Sequence, residues 1–305
     1  MKKFIPLFLL FFVIIIWASA FVGIRYSLHN FHPGSLALLR YLTASVCMLV
    51  FYKRPAVKKI KVGKKDIPII FFCGTLGISI YNVALNYSEI SVSASTASFI
   101  IAQMPVLTIV FAIIFLREKS SYSTWIGMIA SFIGTFLIAI SHPLANFSYH
   151  IGLFLAILAT LASTFYNILQ VPLLKKLSPI QFASYAIWSG TLVLLIFSRE
   201  LIYDLQTATL SSIFTVIYLG IFPGAIGYLI WSYVLSKMPA SKALSGLYLS
   251  PLMTTLLGWL LIDEVPHWLA ILGGIISLFG AYVVNRERFK TKSANSTQSN
   301  LTDIQ

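Results

Sequence analysis

Ten stretches of this chain are apolar over about the 20 residues that a helix needs to cross a bilayer core about 30 Å thick. They run roughly over 4–24, 33–52, 67–87, 92–116, 122–141, 151–172, 179–198, 209–235, 241–262 and 267–285. In hydrocarbon every backbone N–H and C=O must be paired inside the protein, so only helices and closed barrels span it. These runs are too long, and alternate too little, for barrel strands. The expected fold is an all-α bundle of ten transmembrane helices. Composition agrees: 58% of the residues are hydrophobic and 10% charged, against about 45–50% and about 25% in soluble domains. A water-soluble enzyme, a disordered chain and a disulfide scaffold are excluded. Cys47 and Cys73 fall inside apolar runs and read as reduced thiols.

Lys2-Lys3, the apolar stretch from Phe4 and Ala18-Ser19-Ala20 imitate a signal peptide. The apolar run is longer than a signal core and nine more follow it, so it reads as a retained first helix.

The net charge of +13 is explained by topology. With the N-terminus in the cytoplasm, the inner connections collect Lys2 and Lys3, seven basic residues from Lys53 to Lys65, Arg117 and Lys119, Lys175 and Lys176, Lys237 and Lys242, and the four from Arg286 to Lys292. Only Arg25 and Arg199 lie outside, and Arg40 lies within a span. Every inner connection obeys the positive-inside rule. The reading is a multi-pass protein of a bacterial inner membrane with both termini cytoplasmic. Its basic residues meet an anionic inner leaflet, not nucleic acid. Residues 289–305 read as a disordered cytoplasmic tail.

The chain also repeats itself at one ungapped offset of 146 residues. Pro33 falls on Pro179, Gly74 on Gly220, Tyr87 on Tyr233, Ala94-Ser95 on Ala240-Ser241, Pro105 on Pro251, Glu118 on Glu264, and Gly127 and Gly134 on Gly273 and Gly280. With only 12 prolines and 9 acidic residues in the chain, such matches are not compositional accident. The repeats are expected at 1–145 and 146–288. Each holds five helices, an odd number, so the second enters the membrane from the opposite side. An inverted repeat of this kind underlies alternating access, with a substrate site near the midplane between the halves.

At these residues the chain resembles the EamA-type members of the drug/metabolite transporter superfamily, over residues 1–288 or so. The resemblance is carried by Trp17-Ala18-Ser19-Ala20-Phe21, by Pro33 with Arg40, by the doubled Pro105-to-Glu118 and Pro251-to-Glu264 segments, and by Gly127, Gly134, Gly273 and Gly280. Around Ser163 the second copy of the first motif lacks its tryptophan and has Tyr166-Asn167 instead. The resemblance implies export or exchange of amino acids or other small metabolites. The superfamily's sugar-phosphate branches hold phosphate with basic residues inside the membrane. Here Arg40 alone stands at depth, which argues against a highly anionic substrate.

Polar and aromatic residues inside spans are the candidate cavity lining: Trp17 and Ser19, Tyr81, Asn82 and Asn86, Gln103, Tyr166, Asn167 and Gln170, Tyr228 and Trp231, and Tyr248. An unsatisfied amide in hydrocarbon is expensive, so these face the interior, lining a pocket or joining helices. A mid-span arginine costs at least about 2.5–3.5 kcal/mol. Arg40 is read either as a clamp for a substrate carboxylate or a gate partner, or as a side chain snorkelling to the interface. Pro105 and Pro251 are hinges, or kinks that curve helices around a cavity. Glu118 and Glu264 sit at helix ends and serve the N-termini of the helices that follow, or else couple protons.

His29, His32, His142, His150 and His267 fall in outer connections or at span ends and read as interface residues, with no metal and no cofactor implied. Alternatives to a transporter are a membrane-embedded sensory or structural protein and an intramembrane transferase. The former leaves the repeat unexplained; the latter lacks an acidic cluster. The nine acidic residues all fall in loops, tails or span ends, so facilitated diffusion or exchange by a monomer or weak homodimer is expected, without obligatory proton antiport.

Overall fold

The computed structural model describes residues 5–55, 59–116, 122–140, 147–238 and 240–283. Every element among them is helical. In chain order these are α1 (Ile5–Ser27), α2 (Pro33–Tyr52), α3 (Asp66–Ser88), α4 in two segments (Ala94–Ile101 and Met104–Leu116) and α5 (Tyr122–Ala139). Then come α6 (Phe147–Leu174), α7 (Pro179–Thr207), α8 (Leu210–Lys237), α9 in two segments (Ala240–Gly246 and Ser250–Ile262) and α10 (Trp268–Val283). Six of them, α1, α2, α3, α6, α7 and α8, are long and apolar enough to cross a membrane; the others are shorter apolar helices. Phe8, Phe132, Phe154 and Leu252 stand exposed on the outside of the bundle, where lipid would solvate them.

Local sequence sets where helices start and break. Pro33 and Pro179 open α2 and α7, at the helical position where a missing N–H and a fixed φ suit the geometry. Ser93 caps α4, its Oγ accepting from Thr96 N at 3.1 Å. α4 breaks at Ala102–Gln103 just before Pro105, and α9 passes through a 3₁₀ turn, Leu247–Leu249, just before Pro251. A proline ring cannot share space with the carbonyl one turn upstream, so both breaks fall on that turn.

Packing repeats at the sequence offset. α1 lies against α8 and α9 as α6 lies against α3 and α4, and α2 against α7 and α8 as α7 against α2 and α3. Gly74 and Gly220 show why small residues recur. A Cβ on Gly74 would meet Ala186 O at 2.4 Å and one on Gly220 would meet Arg40 O at 2.5 Å; Arg40 and Ala186 are themselves 146 apart. At these glycines α3 and α8 each carry a π-helical turn, Thr75–Ile80 directly after Gly74 and Gly220–Gly227 starting at Gly220. Pro223, which cannot donate its own ladder bond, lies in the second.

Two expectations need correction. The seventh run does not end at 198: α7 continues through a 3₁₀ turn, Leu195–Phe197, to Thr207. That extension is polar on one side and brings Asp204 to the start of α2, where its carboxylate accepts from His32 N at 2.8 Å, from the His32 ring Nδ1 at 2.7 Å and from Ser35 Oγ. A helix N-terminus stabilises an anion, which is how Asp204 is buried and not exposed in a loop. Second, Glu264 does serve an N-terminus, but that of α4, not of α10: its Oε2 accepts from Ala94 N at 3.1 Å. Glu118 and the tail 289–305 lie outside the described residues.

Candidate functional site

A cavity opens at the centre of the bundle. It is lined by Trp17, Ala20, Phe21 and Ile24 of α1, Arg40 of α2, Tyr81 and Leu85 of α3, Ser98, Ile101 and Met104 of α4 with Ala102 between its segments, Ser163, Tyr166 and Asn167 of α6, Tyr228 and Trp231 of α8, and Leu247 and Ser250 of α9. Its free volume is about 50 Å³, room for a few waters, each of which needs about 10–15 Å³. Twelve of these eighteen residues form six pairs exactly one repeat apart: Trp17 with Ser163, Ala20 with Tyr166, Phe21 with Asn167, Leu85 with Trp231, Ile101 with Leu247, and Met104 with Ser250. The cavity therefore sits between the halves. Large faces small in several pairs, so its two sides differ in shape.

The walls are held by hydrogen bonds to backbone that the irregular turns expose. Trp17 Nε1 donates to Pro223 O at 3.1 Å, in the π turn of α8, and Tyr228 OH donates to Gly77 O at 2.8 Å, in that of α3. Asn167 Oδ1 accepts from Trp231 Nε1 at 2.8 Å and Gln170 Nε2 at 2.9 Å, and its Nδ2 donates to Ser163 O at 2.8 Å. Trp17 also meets Tyr228 edge-on, centroids 5.8 Å apart, and Trp231 at 5.2 Å. Such aromatic pairs contribute about 0.5–1.5 kcal/mol each beyond their burial.

Arg40 supplies a charge to this wall. It is buried; its Nη1 donates to Asn82 Oδ1 at 3.0 Å, and Asn82 Nδ2 donates to Ile78 O at 2.9 Å. The guanidinium lies 5.3 Å from the Tyr41 ring centroid, and its Nε has no hydrogen-bond partner among the described residues.

The expected site residues divide on this geometry. Trp17, Tyr81, Tyr166, Asn167, Tyr228, Trp231 and Arg40 come together on the lining. Asn82 stands behind Arg40. Ser19 faces elsewhere, its hydroxyl on Ile16 O at 2.8 Å and 2.7 Å from Tyr218 OH. Gln103 accepts from Ser131 of α5 and Tyr248 donates to Ala281 O of α10 at 3.1 Å, so both join helices behind the cavity. Asn86 is tied to Pro33 O at 2.9 Å. Pro105 lies beyond the lining, one residue after Met104, and Pro251 one after Ser250. Selection by polarity passed over Phe21, Leu85 and Leu247. A usable signal was present: Phe21 and Leu85 are the repeat mates of Asn167 and Trp231.

Above the cavity is an ionic cluster. Arg25, at the end of α1, donates from Nη1 to Glu89 O and, at 3.1 Å, to Ile90 O; its Nε is 3.6 Å from Glu264 Oε1. Glu89 follows the last residue of α3, at a span end as the sequence suggests. It is fully buried, and neither carboxylate oxygen has a hydrogen-bond partner among the described residues. Burial pushes its carboxyl well above the usual range; the Glu264 charge adds to the shift, and Arg25 and Arg40 oppose it. Burial also raises Glu264, against Arg25 and the Ala94 N–H. No group of three or more metal-ligating side chains occurs among the described residues; His29, His32, His150 and His267 are not on the cavity lining, and His142 lies outside the described residues.

A family model described as the EamA-like transporter family matches this chain twice, over residues 4–140 and 150–286. An uncharacterized transporter of Bacillus subtilis, YdfC, is 34% identical over 266 residues, 87% of this chain and 86% of that one. The "Probable terminal-alkyne amino-acid exporter" of Streptantibioticus cattleyicolor is 31% identical over 284 residues, 93% of this chain and 94% of its own. A solved crystal structure superposes with a TM-score of 0.64 over 91% of this chain and 95% of its own, at 15% identity, a likeness of fold alone.

Proposed function

This chain belongs to the EamA-like transporter family, whose members are multi-pass membrane transporters, and on that premise we propose that it carries amino acids or similar small metabolites by alternating access. The observation that supports this most is the cavity built from six pairs of repeat mates. A site shared by both halves is what a rocking pair of repeats needs, because each half can uncover it in turn. The ten apolar runs are then ten spans, and the halves 1–145 and 146–288 are related by a two-fold axis in the membrane plane. Both termini lie in the cytoplasm of a bacterial inner membrane, a reading that the basic residues of the inner connections support.

Arg40 receives the carboxylate of the substrate. Asn82 Oδ1 accepts from Nη1, and Nε has no partner among the described residues, while Trp17, Tyr81, Tyr166, Tyr228 and Trp231 supply aromatic walls and Asn167 an amide. The breaks before Pro105 and Pro251 adjoin the lining and serve as hinges. The name of the relative from S. cattleyicolor, an amino-acid exporter, agrees with a carboxylate-bearing substrate and with export. Flux follows the substrate's own gradient, by net diffusion or exchange, through a monomer or weak homodimer.

The test is reconstitution in proteoliposomes with a panel of labelled amino acids and their derivatives. At least one should exchange against its unlabelled form well above protein-free vesicles, with no imposed pH difference. A panel that shows no flux above protein-free vesicles would sink the reading, as would strict dependence on a pH gradient for its coupling.

A further inference from the structure

Three walls of the cavity rise into the ionic cluster. On α3, Tyr81 and Leu85 line the cavity, and Glu89 comes one turn later on the same face, its N–H still bonded to Leu85 O at 3.0 Å. On α1, Ile24 lines the cavity and Arg25 is its neighbour. On α4, Ser98 lines the cavity, and one turn earlier Ala94 N is held by Glu264. The cluster closes one end.

The repeat does not supply the same three side chains to the other end. Glu264 has its counterpart in Glu118, but Arg25 falls on Val171 and Glu89 on Leu235. Of these three side chains Glu264 alone has a charged repeat mate; the arginine and the second acid have none. In the cluster, the Arg25 guanidinium pairs with the Glu264 carboxylate at 3.6 Å and with the main-chain carbonyl of Glu89, not with the Glu89 carboxylate. Glu264 keeps contact with solvent and a backbone N–H, whereas the Glu89 carboxylate is buried and has no hydrogen-bond partner among the described residues.

We propose that Glu89 is a proton-binding site whose occupancy holds the Arg25 end of the cavity shut. With the end open the carboxylate is solvated and ionised. On closing it enters a buried site where no described residue donates to it, so it takes up a proton from that face and returns it there on opening. The site gates the cycle without driving it. The direction of the carboxyl's shift, upward, agrees. The charged and titratable groups around it are Arg25 of α1, Arg40 of α2, Tyr81 of its own helix and Glu264 of the α9–α10 connection. Farther round, α2 begins with His32, whose ring is bound by Asp204, and α6 carries Tyr149, donating to Ile138 O, and exposed His150.

The inference rests on the alternating-access reading, and the experiment separates the two. Cys47 and Cys73 are replaced by alanine and Ser98→Cys is introduced in the cavity wall. Labelling by a membrane-impermeant thiol reagent from the Arg25 face is followed in proteoliposomes between pH 5.5 and 8, relative to exposed Thr207→Cys to cancel thiolate chemistry. Relative labelling should fall several-fold as the pH drops. With Glu89→Gln, which mimics the protonated acid, it should be low throughout. Glu264→Gln, which removes the competing charge, should move the midpoint to lower pH and serves as the test if Glu89→Gln does not fold. Labelling that ignores pH, or a pH response that survives Glu89→Gln, overturns the proposal and leaves alternating access standing. No labelling at any pH, even with Arg25→Ala, means the cavity never opens here and overturns both.

Discussion

Ser131 and Ser277 each donate a side-chain hydrogen bond to the other's main-chain carbonyl, at 3.1 and 3.2 Å, across an offset of 146 residues. Ser45 and Thr191, also 146 apart, have their hydroxyls 2.9 Å from each other. When a residue touches its own repeat mate, the operation relating the copies passes between them, and only a two-fold makes such a contact reciprocal.

If that axis lies in the membrane plane, mates far from it emerge on opposite sides. Lys61 and Thr207 are such a pair, both exposed. Single cysteines there should be labelled from opposite faces by a membrane-impermeant reagent, Lys61→Cys from the cytoplasm and Thr207→Cys from outside. Labelling of both from one face would make the repeat parallel and remove the basis for alternating access.

The same contact explains the glycines of α5 and α10. A Cβ on Gly134 would stand 2.3 Å from Ser277 N and 2.4 Å from Gly273 O. These are backbone atoms that no rotamer change can move. Overpacking of this kind costs about 1–3 kcal/mol, so Gly134→Ala and Gly273→Ala should each lower the thermal midpoint in detergent clearly. Gly258→Ala, with nothing nearer than 3.7 Å, should not. Cys73, fully buried, reports the transition through a thiol-reactive dye. Equal midpoints for all three would mean α5 and α10 do not approach this closely.

Arg40 permits a sharper test of the cavity. A hydrogen bond to a charged group contributes about 1.5–3 kcal/mol, roughly ten- to hundredfold in a rate or binding constant. Arg40→Gln should lower kcat/KM for carboxylate-bearing substrates by that factor and spare the amides of the same compounds, which lack the carboxylate. Arg40→Lys, which keeps the charge but loses the fork, should fall between. A uniform loss across acids and amides would make Arg40 a helix tie, as its bond to Asn82 alone would allow.

The apolar helices and the 146-residue offset are legible because long apolar runs, prolines and glycines are local signals with few competing explanations. The cavity is half legible for the same reason. Polarity marks Trp17, Arg40, Tyr166 and Asn167, yet it also marks Ser19, Gln103 and Tyr248, whose hydrogen bonds go to neighbouring helices. Nothing in polarity separates a group that lines a space from one that ties two helices together. Glu89 was hidden for another reason. An acid one residue past a span looks solvated until the ends of α1, α4 and α9 are known to close over it.

That burial has a consequence for stability. Glu89 holds its proton more tightly in the folded chain than at the ordinary carboxylate value of 4.5, because burial raises it and Glu264 adds to the rise. A folded state that binds more protons than the unfolded one loses stability as pH rises. The contribution is fully present below about 4.5 and is lost as pH climbs through the folded value, at up to about 1.4 kcal/mol per unit. Glu264 shifts in the same direction, so the two slopes add. The thermal midpoint in detergent should therefore fall between pH 5 and pH 8. Glu89→Gln should flatten most of that slope, raising the midpoint at pH 8 while barely moving it at pH 5. A midpoint that rises with pH in this window, or a slope untouched by Glu89→Gln, would show that Glu89 is ionised in the folded chain and that Arg25, not a proton, balances it.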